Sequence, residues 1–160
     1  MNKQSKGTVL ITGASSGIGL ELARVFARHG YALVITARGE TRLQELAQEL
    51  RLKHNAAVRV LVADLALPAA PQKVFEELQR DGIAIDVLVN NAGFATFGEF
   101  SQTDIDAGLQ LLQVNISALT HLTKLFLPQV MQRRGKILNV ASTAAFAPGP
   151  LMAVYYASKT

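Results

Sequence analysis

The sequence predicts a doubly wound parallel α/β sheet, three layers deep as α/β/α, and three observations carry that prediction. Apolar runs of strand length alternate with segments whose apolar residues recur at helical spacing. The second of these runs, Tyr31 to Ala37, is apolar almost without a break, as a strand covered on both faces is. The first, Val9-Leu10-Ile11-Thr12, passes through the turn Gly13-Ala14-Ser15-Ser16-Gly17-Ile18-Gly19 directly into a helical pattern. Repeated strand–helix units imply parallel pairing with right-handed crossovers, which bring the carboxyl ends of the strands to one edge.

In chain order, Leu20, Leu22, Ala23, Phe26 and Ala27 mark the inner face of a first helix that Gly30 stops. The strand from Tyr31 to Ala37 follows, and Leu43, Leu46, Ala47 and Leu50 then give a helix ending near His54. Val58 to Ala63 reads as a third strand ending at Asp64, Pro68 to Asp81 as a helix with Val74, Phe75 and Leu78 on one face, and Asp86 to Asn90 as a fourth strand. A longer helical region is expected from Ile105 to Met131, with Leu109, Leu112, Ile116, Leu119 and Leu122 as its apolar stripe and Pro128 near its end. Lys136 to Ala141 is the fifth strand. Pro148-Gly149-Pro150 then reads as a loop entering another helix over 151–159 that the chain has no room to complete. With no repeats, low-complexity tract or linker, residues 1–160 are expected to form a single domain.

Composition narrows the function classes. At 49% hydrophobic and 18% charged residues, the chain has a soluble globular balance and enough length for a substantial core. No apolar run approaches membrane-spanning length, and Thr8 to Thr12 is too short and wrongly followed for a signal peptide. The absence of cysteine removes disulfides, thiolate nucleophiles and cysteine metal sites, and fits a cytoplasmic location. His29, His54 and His121 stand apart without ligand-like spacing, so no metal site is expected. The net charge of +4 comes from scattered basic residues, with only Arg133 and Arg134 adjacent. That pattern suits a solvated surface with some attraction for small anions better than a nucleic-acid interface.

The unusual polar residues fall at strand ends. The turn holding Gly13, Ser15, Ser16, Gly17, Ile18 and Gly19 allows a ligand to approach the main chain, and the helix behind it presents unpaired N–H groups and a positive dipole end to a phosphate. At the end of the second strand stands Arg38, nineteen positions after Gly19, with no acidic residue at the strand end. An acidic residue there would accept hydrogen bonds from an adenosine ribose, whereas arginine pairs with a 2′-phosphate, so NADP is expected over NAD despite Glu40 nearby. Asp64 and Leu65 are candidates to contact an adenine ring, although an Asp at a strand end is also a common turn or cap. Asn90-Asn91-Ala92-Gly93 is compatible with a backbone held against a ribose, and by itself is also a good turn.

Tyr155 and Lys159 are four apart and share one face of a helix. A phenol, with an ordinary pKa near 10, is a poor acid–base catalyst at neutral pH unless its phenolate is favoured by about 4 kcal/mol. One ammonium about 4 Å away supplies roughly that amount at an effective dielectric of about 20. Ser142, at the end of the fifth strand, is placed to hold the oxygen of a carbonyl or alcohol beside the phenol. A lone Tyr–Lys pair can arise by chance and a lone Ser can be a strand-end cap, so the force of the pattern lies in the combination.

Together these residues resemble the classical branch of the short-chain dehydrogenase/reductase family, a Rossmann-type fold. Thr12-Gly13-x-x-x-Gly17-Ile18-Gly19 is similar to its cofactor turn, Asn90-Asn91-Ala92-Gly93 to its strand-four motif, and Asn115, Ser142, Tyr155 and Lys159 to its catalytic tetrad, with Tyr155 thirteen positions after Ser142. The likeness runs from Thr8 to Lys159, and Gly93-Phe-Ala-Thr-Phe-Gly is most similar to a poorly differentiated bacterial subgroup of general-purpose reductases. The resemblance implies hydride transfer between NADP(H) and a carbonyl or secondary alcohol. Tyr155 would exchange the proton, Ser142 position the substrate oxygen, and Lys159 favour the phenolate while binding the nicotinamide ribose. It also implies that Asn115, otherwise a polar residue inside a helix, holds a water relaying toward Lys159. A homo-oligomer is implied too, through the long helix from Ile105 and the one near Tyr155.

Members of the family continue well past the Tyr–Lys helix, whereas this chain stops one residue after Lys159. The expectation at this point is a domain truncated after its fifth strand, which leaves as the alternative a non-catalytic fragment that binds dinucleotide or a partner. Phe94, Phe97 and Phe100 suggest an apolar mouth for a small-molecule substrate, unless they pack on the helix beneath.

Overall fold

The computed structural model describes residues 5–147 and 149–160. The first residues of the Met1–Lys6 flank and Pro148 of the Pro-Gly-Pro loop lie outside the described residues.

Five strands form one sheet: β1 (Thr8–Thr12), β2 (Ala32–Ala37), β3 (Val58–Val62), β4 (Val87–Asn90) and β5 (Lys136–Asn139), in the order β3-β2-β1-β4-β5. All pairings are parallel, with Val9 opposite both Leu33 and Val87. The chain winds outward from β1 in one direction through β2 and β3, and in the other through β4 and β5. The strand order therefore reverses between β1 and β4, where open sheets of this kind leave a crevice at the carboxyl ends.

The helices are α1 (Gly17–Arg28), α2 (Glu40–His54), α3 (Ala70–Arg80), α4 (Ile105–Leu112), α5 (Leu119–Gln132) and α6 (Ala153–Lys159). Successive side chains of a strand point to opposite faces, and the core divides accordingly. Val9, Ile11, Leu33 and Ile35 pack under Ala23 and Ala27 of α1 and Leu43, Ala47 and Leu50 of α2. Leu10, Val34 and Leu88 face Val74 and Leu78 of α3 and Leu122, Phe126 and Val130 of α5. Phe75 meets Phe126 edge-on at 5.2 Å between ring centroids. The expected α/β/α layering and the inner faces of the first three helices are all present, with strand and helix ends displaced by one to three residues.

The long helical region departs from expectation. Between α4 and α5 the chain widens into a π-helical turn, Gln113–Ala118. The residues facing the sheet are Leu111, Asn115, Ala118, Leu122, Phe126 and Val130. Leu109 and Ile116, assigned to the buried stripe by spacing, are 56% and 41% exposed. The segment carries apolar side chains almost all round, so spacing alone leaves its phase open, and a π turn resets the 3.6-residue period midway.

At the amino-terminal end of the sheet, Asp86 accepts hydrogen bonds from the Thr8 N–H (2.7 Å) and from Arg133 Nε (2.6 Å), tying the starts of β1 and β4 to the end of α5. Among the described residues no helix is long and apolar enough to cross a membrane.

Candidate active site

The site starts where β1 enters α1. Gly13 sits at φ +66, and a Cβ there would press within 2.9 Å of Ala92 Cα. Gly17 sits at φ +53 with open space around it, so a side chain would be strained and would project into the cleft. A Cβ on Gly19 would run into the Gly13 carbonyl and the Asn91 side chain, which makes Gly19 the packing glycine beneath the turn. The N-cap residue of α1, Ser16, makes no side-chain cap, and the first turn carries no acidic residue. An anion at this end would meet uncapped N–H groups and the positive end of the dipole, so these residues fit a phosphate.

Thr12, which in the sequence only opens the glycine motif, is the stitch between β1 and β4. Its hydroxyl, on a residue only 1% exposed, donates to the Val89 carbonyl (3.2 Å) and accepts the N–H groups of Asn91 and Ala92, both at 3.0 Å. The Asn91 amide in turn donates to the carbonyls of Thr12 (2.9 Å) and Gly13 (3.2 Å). Asn90 faces the other way, donating to Thr123 Oγ1 and Asn139 Oδ1, both at 2.9 Å. The only sequence signal for Thr12 was a hydroxyl residue closing an otherwise apolar strand.

A cleft of about 820 Å³ runs along this edge from the start of α2 to α6. Its wall includes Gly13, Ser15, Ser16, Gly17 and Ile18 from the first turn, Arg38 after β2, Asp64 and Leu65 after β3, Asn91, Ala92 and Gly93 after β4, and Tyr155 and Lys159 of α6. Arg42, in the first turn of α2, shares the wall with Arg38 and Glu40 and adds a cation that nothing in the spacing of the sequence marks out. Asp64 Oδ1 accepts the Ala66 N–H (3.0 Å), so this carboxylate also serves as the turn former its position suggested, and Leu65 is mostly buried in the core below.

Three expected residues, Gly19, Asn115 and Ser142, stand behind or beside the wall. Asn115 lies in the π-helical turn, 4% exposed, where its Oδ1 accepts the Phe94 N–H and its Nδ2 donates to the Phe94 carbonyl, each at 3.1 Å. Ser142 follows Ala141, which does line the cleft, and its Oγ accepts the Ala144 N–H (3.1 Å), leaving its own proton free to donate. Lys159 Nζ donates to the Val140 carbonyl just past β5 (3.3 Å), and a Cβ on Gly93 would come within 3.7 Å of it. Helix α6 thus presents Tyr155 and Lys159 on one face across from the glycine turn. Among the described residues no cluster of three or more His, Cys, Asp or Glu could hold a metal ion.

A parallel sheet that reverses its winding at a glycine turn, with a cleft along its carboxyl edge, defines a Rossmann-type α/β domain. The short chain dehydrogenase family model matches residues 7–160, and the chain belongs to that family. Among curated relatives, it is 37% identical over 152 residues to an 11-beta-hydroxysteroid dehydrogenase 1A of Arabidopsis thaliana, covering 94% of this chain and 44% of that protein. Among solved structures, a short-chain dehydrogenase from Sphingobium yanoikuyae in complex with NADPH superposes with a TM-score of 0.88 at 44% identity, over 96% of this chain and 60% of that one. A bulky-bulky ketone specific alcohol dehydrogenase from Comamonas testosteroni gives 0.88 at 38% identity, over 96% and 61%. The chain spans about half the length of the curated relatives it matches.

Proposed function

We propose that residues 1–160 form a single dinucleotide-binding domain of an oxidoreductase that moves a hydride between NADP(H) and a carbonyl or secondary alcohol. The observation that carries this reading is the continuity of one cleft from the uncapped start of α1 and Arg38 to Tyr155 and Lys159.

In this reading the N–H groups around Gly13–Gly19 hold the pyrophosphate, Ser15 and Ser16 add hydroxyl donors, and Ile18 shields the turn. Arg38, with Arg42 beside it, pairs with the 2′-phosphate, which selects NADP over NAD. Asp64 and Leu65 border the adenine, and the backbone of Asn91-Ala92-Gly93 lies against the ribose. Bound NADP(H) supplies or takes up the hydride. Tyr155 gives its hydroxyl proton to the carbonyl oxygen in reduction and recovers it from the alcohol in oxidation. Lys159 would bind the nicotinamide ribose, Ser142 donates a hydrogen bond to the reacting oxygen, and Asn115 belongs to a proton relay toward Lys159.

The substrate is a small molecule with apolar groups near its carbonyl. The apolar wall supplied by Phe94, Ala95, Val140 and Ala141 supports that class, as does the ketone specificity named for the Comamonas neighbour. A homo-oligomer is supported by the exposed apolar side chains of Ile105, Leu109 and Ile116 along α4 and the π turn. The cysteine-free sequence supports a cytoplasmic location.

The test is oxidation of NADPH in the presence of a panel of ketones with small and bulky apolar substituents, followed by loss of NADPH absorbance. The expected result is turnover with some members of the panel and a loss of about 1,000-fold in Tyr155→Phe, within the usual range for a general acid–base group. No oxidation with any ketone, or unaltered turnover in Tyr155→Phe, overturns the reading.

A further inference from the structure

We propose that Ser158 is a positioning residue for the Tyr155–Lys159 pair, acting through Asn115. The proposal rests on the oxidoreductase reading of that pair. Ser158 Oγ donates its single proton to the Tyr155 carbonyl (2.7 Å), a bond within one helical turn that any helical serine can make. Its second bond is not local, because Oγ accepts from Asn115 Nδ2 (2.9 Å), 43 positions earlier in the chain.

With its proton committed, Oγ can only accept from Asn115. The Asn115 amide is then fully specified: its oxygen takes the Phe94 N–H, and its two N–H groups go to the Phe94 carbonyl and to Ser158. One side-chain chain of bonds therefore runs from the Phe94 backbone, on the cleft wall, through the π-helical turn to the backbone of Tyr155. Helix α6 has only two turns and no buried residue, so apolar packing fixes its rotation weakly. A directional tie between the two reacting side chains is suited to that task, and small errors in the placement of a proton donor slow its transfer without weakening distant contacts to a cofactor. Removing the hydroxyl leaves one buried N–H of Asn115 unpaired and frees the amide to turn away from Phe94.

The experiment compares the full chain with Ser158→Ala and Ser158→Thr, reading ketone-dependent NADPH oxidation together with hydrogen exchange at the Phe94 amide. Ser158→Ala is expected to lower kcat about tenfold with KM for NADPH changed less than twofold, and to speed Phe94 exchange about tenfold. Ser158→Thr, which keeps the hydroxyl, is expected to restore both. Unchanged Phe94 exchange in Ser158→Ala overturns the proposal whatever the turnover, and so does a change confined to KM. If the wild-type chain turns nothing over, the oxidoreductase reading fails and the exchange result alone decides whether the tie exists.

Discussion

Thr12 and Arg38 sit at the ends of neighbouring strands, and their contributions differ in kind. Replacing Thr12 with Val preserves volume but removes the buried hydroxyl that accepts the half-buried N–H groups of Asn91 and Ala92. A fully buried orphaned donor costs about 1–3 kcal/mol, or about 2–6 kcal/mol for two; half-burial places the stability loss of Thr12→Val in the lower part of that range, at about 2–4 kcal/mol, read as a shift of the denaturation midpoint at constant m-value. Arg38 is exposed at the cleft wall, so its replacement is expected to be nearly neutral for folding. Arg38→Asp instead puts a carboxylate where a 2′-phosphate would lie. Titration should show NADPH affinity reduced at least about tenfold and NADH affinity unchanged or improved, since a charge-assisted pair has become a repulsion. Equal losses for the two cofactors would show that Arg38 does not read the phosphate.

Helices α1 and α2 are joined by an ion pair with a pH signature of its own. Arg24 donates to both carboxylate oxygens of Glu49, at 3.1 and 2.7 Å, and Lys53 adds a contact at 3.1 Å. These hydrogen bonds, Arg24 first, hold the Glu49 carboxyl down to about 2 from an ordinary value of 4.5. A carboxyl with a lowered folded pKa stabilises the fold fully above its unfolded value and loses that contribution as pH falls through the folded one. The helix pair should therefore weaken between about pH 4.5 and 2, and Glu49→Gln should flatten the melting-temperature profile in that window while lowering the plateau above it. Asp86 behaves with the same sign: burial opposes its ionisation, but the hydrogen bonds from Arg133 and Thr8 outweigh burial and keep its carboxyl below the usual range. The sequence displayed the helices themselves because their inner residues repeat regularly; Leu43, Leu46, Ala47 and Leu50 could face only one way. It did not display the π-helical turn. Asn115 is the polar residue that an apolar stripe excludes, and the backbone of Phe94, brought alongside by β4, together with Ser158 of α6, explains its burial. The same lack of long-range information hid the Ser158–Asn115 contact and the acceptor role of Thr12.

At the scale of the whole molecule, the two ends of the cleft depend on different parts of the chain. The glycine turn, Arg38 and Asp64 lie on the half of the sheet that winds through β2 and β3, and local spacing made them legible in the sequence. Tyr155 and Lys159 lie beyond β5, and their place on the same cleft wall as the glycine turn is a product of the reversal in strand order, which residue spacing does not encode. Binding and turnover are therefore separable. A ligand that binds only the native state stabilises it by RT ln(1 + [L]/Kd), about 2.7 kcal/mol at 100 times Kd, which corresponds to roughly 5–10 °C in a domain of this size. NADPH at that concentration is expected to raise the melting temperature of the chain by this amount, and NADH at the same concentration by less. Tyr155→Phe should keep the NADPH shift while losing ketone reduction, because in the proposed reaction the phenol acts at the carbonyl and not at the phosphates. A chain that shows the shift in both forms but no turnover in either would be a dinucleotide-binding domain without catalysis, and one that shows no shift would leave the cleft without its proposed occupant.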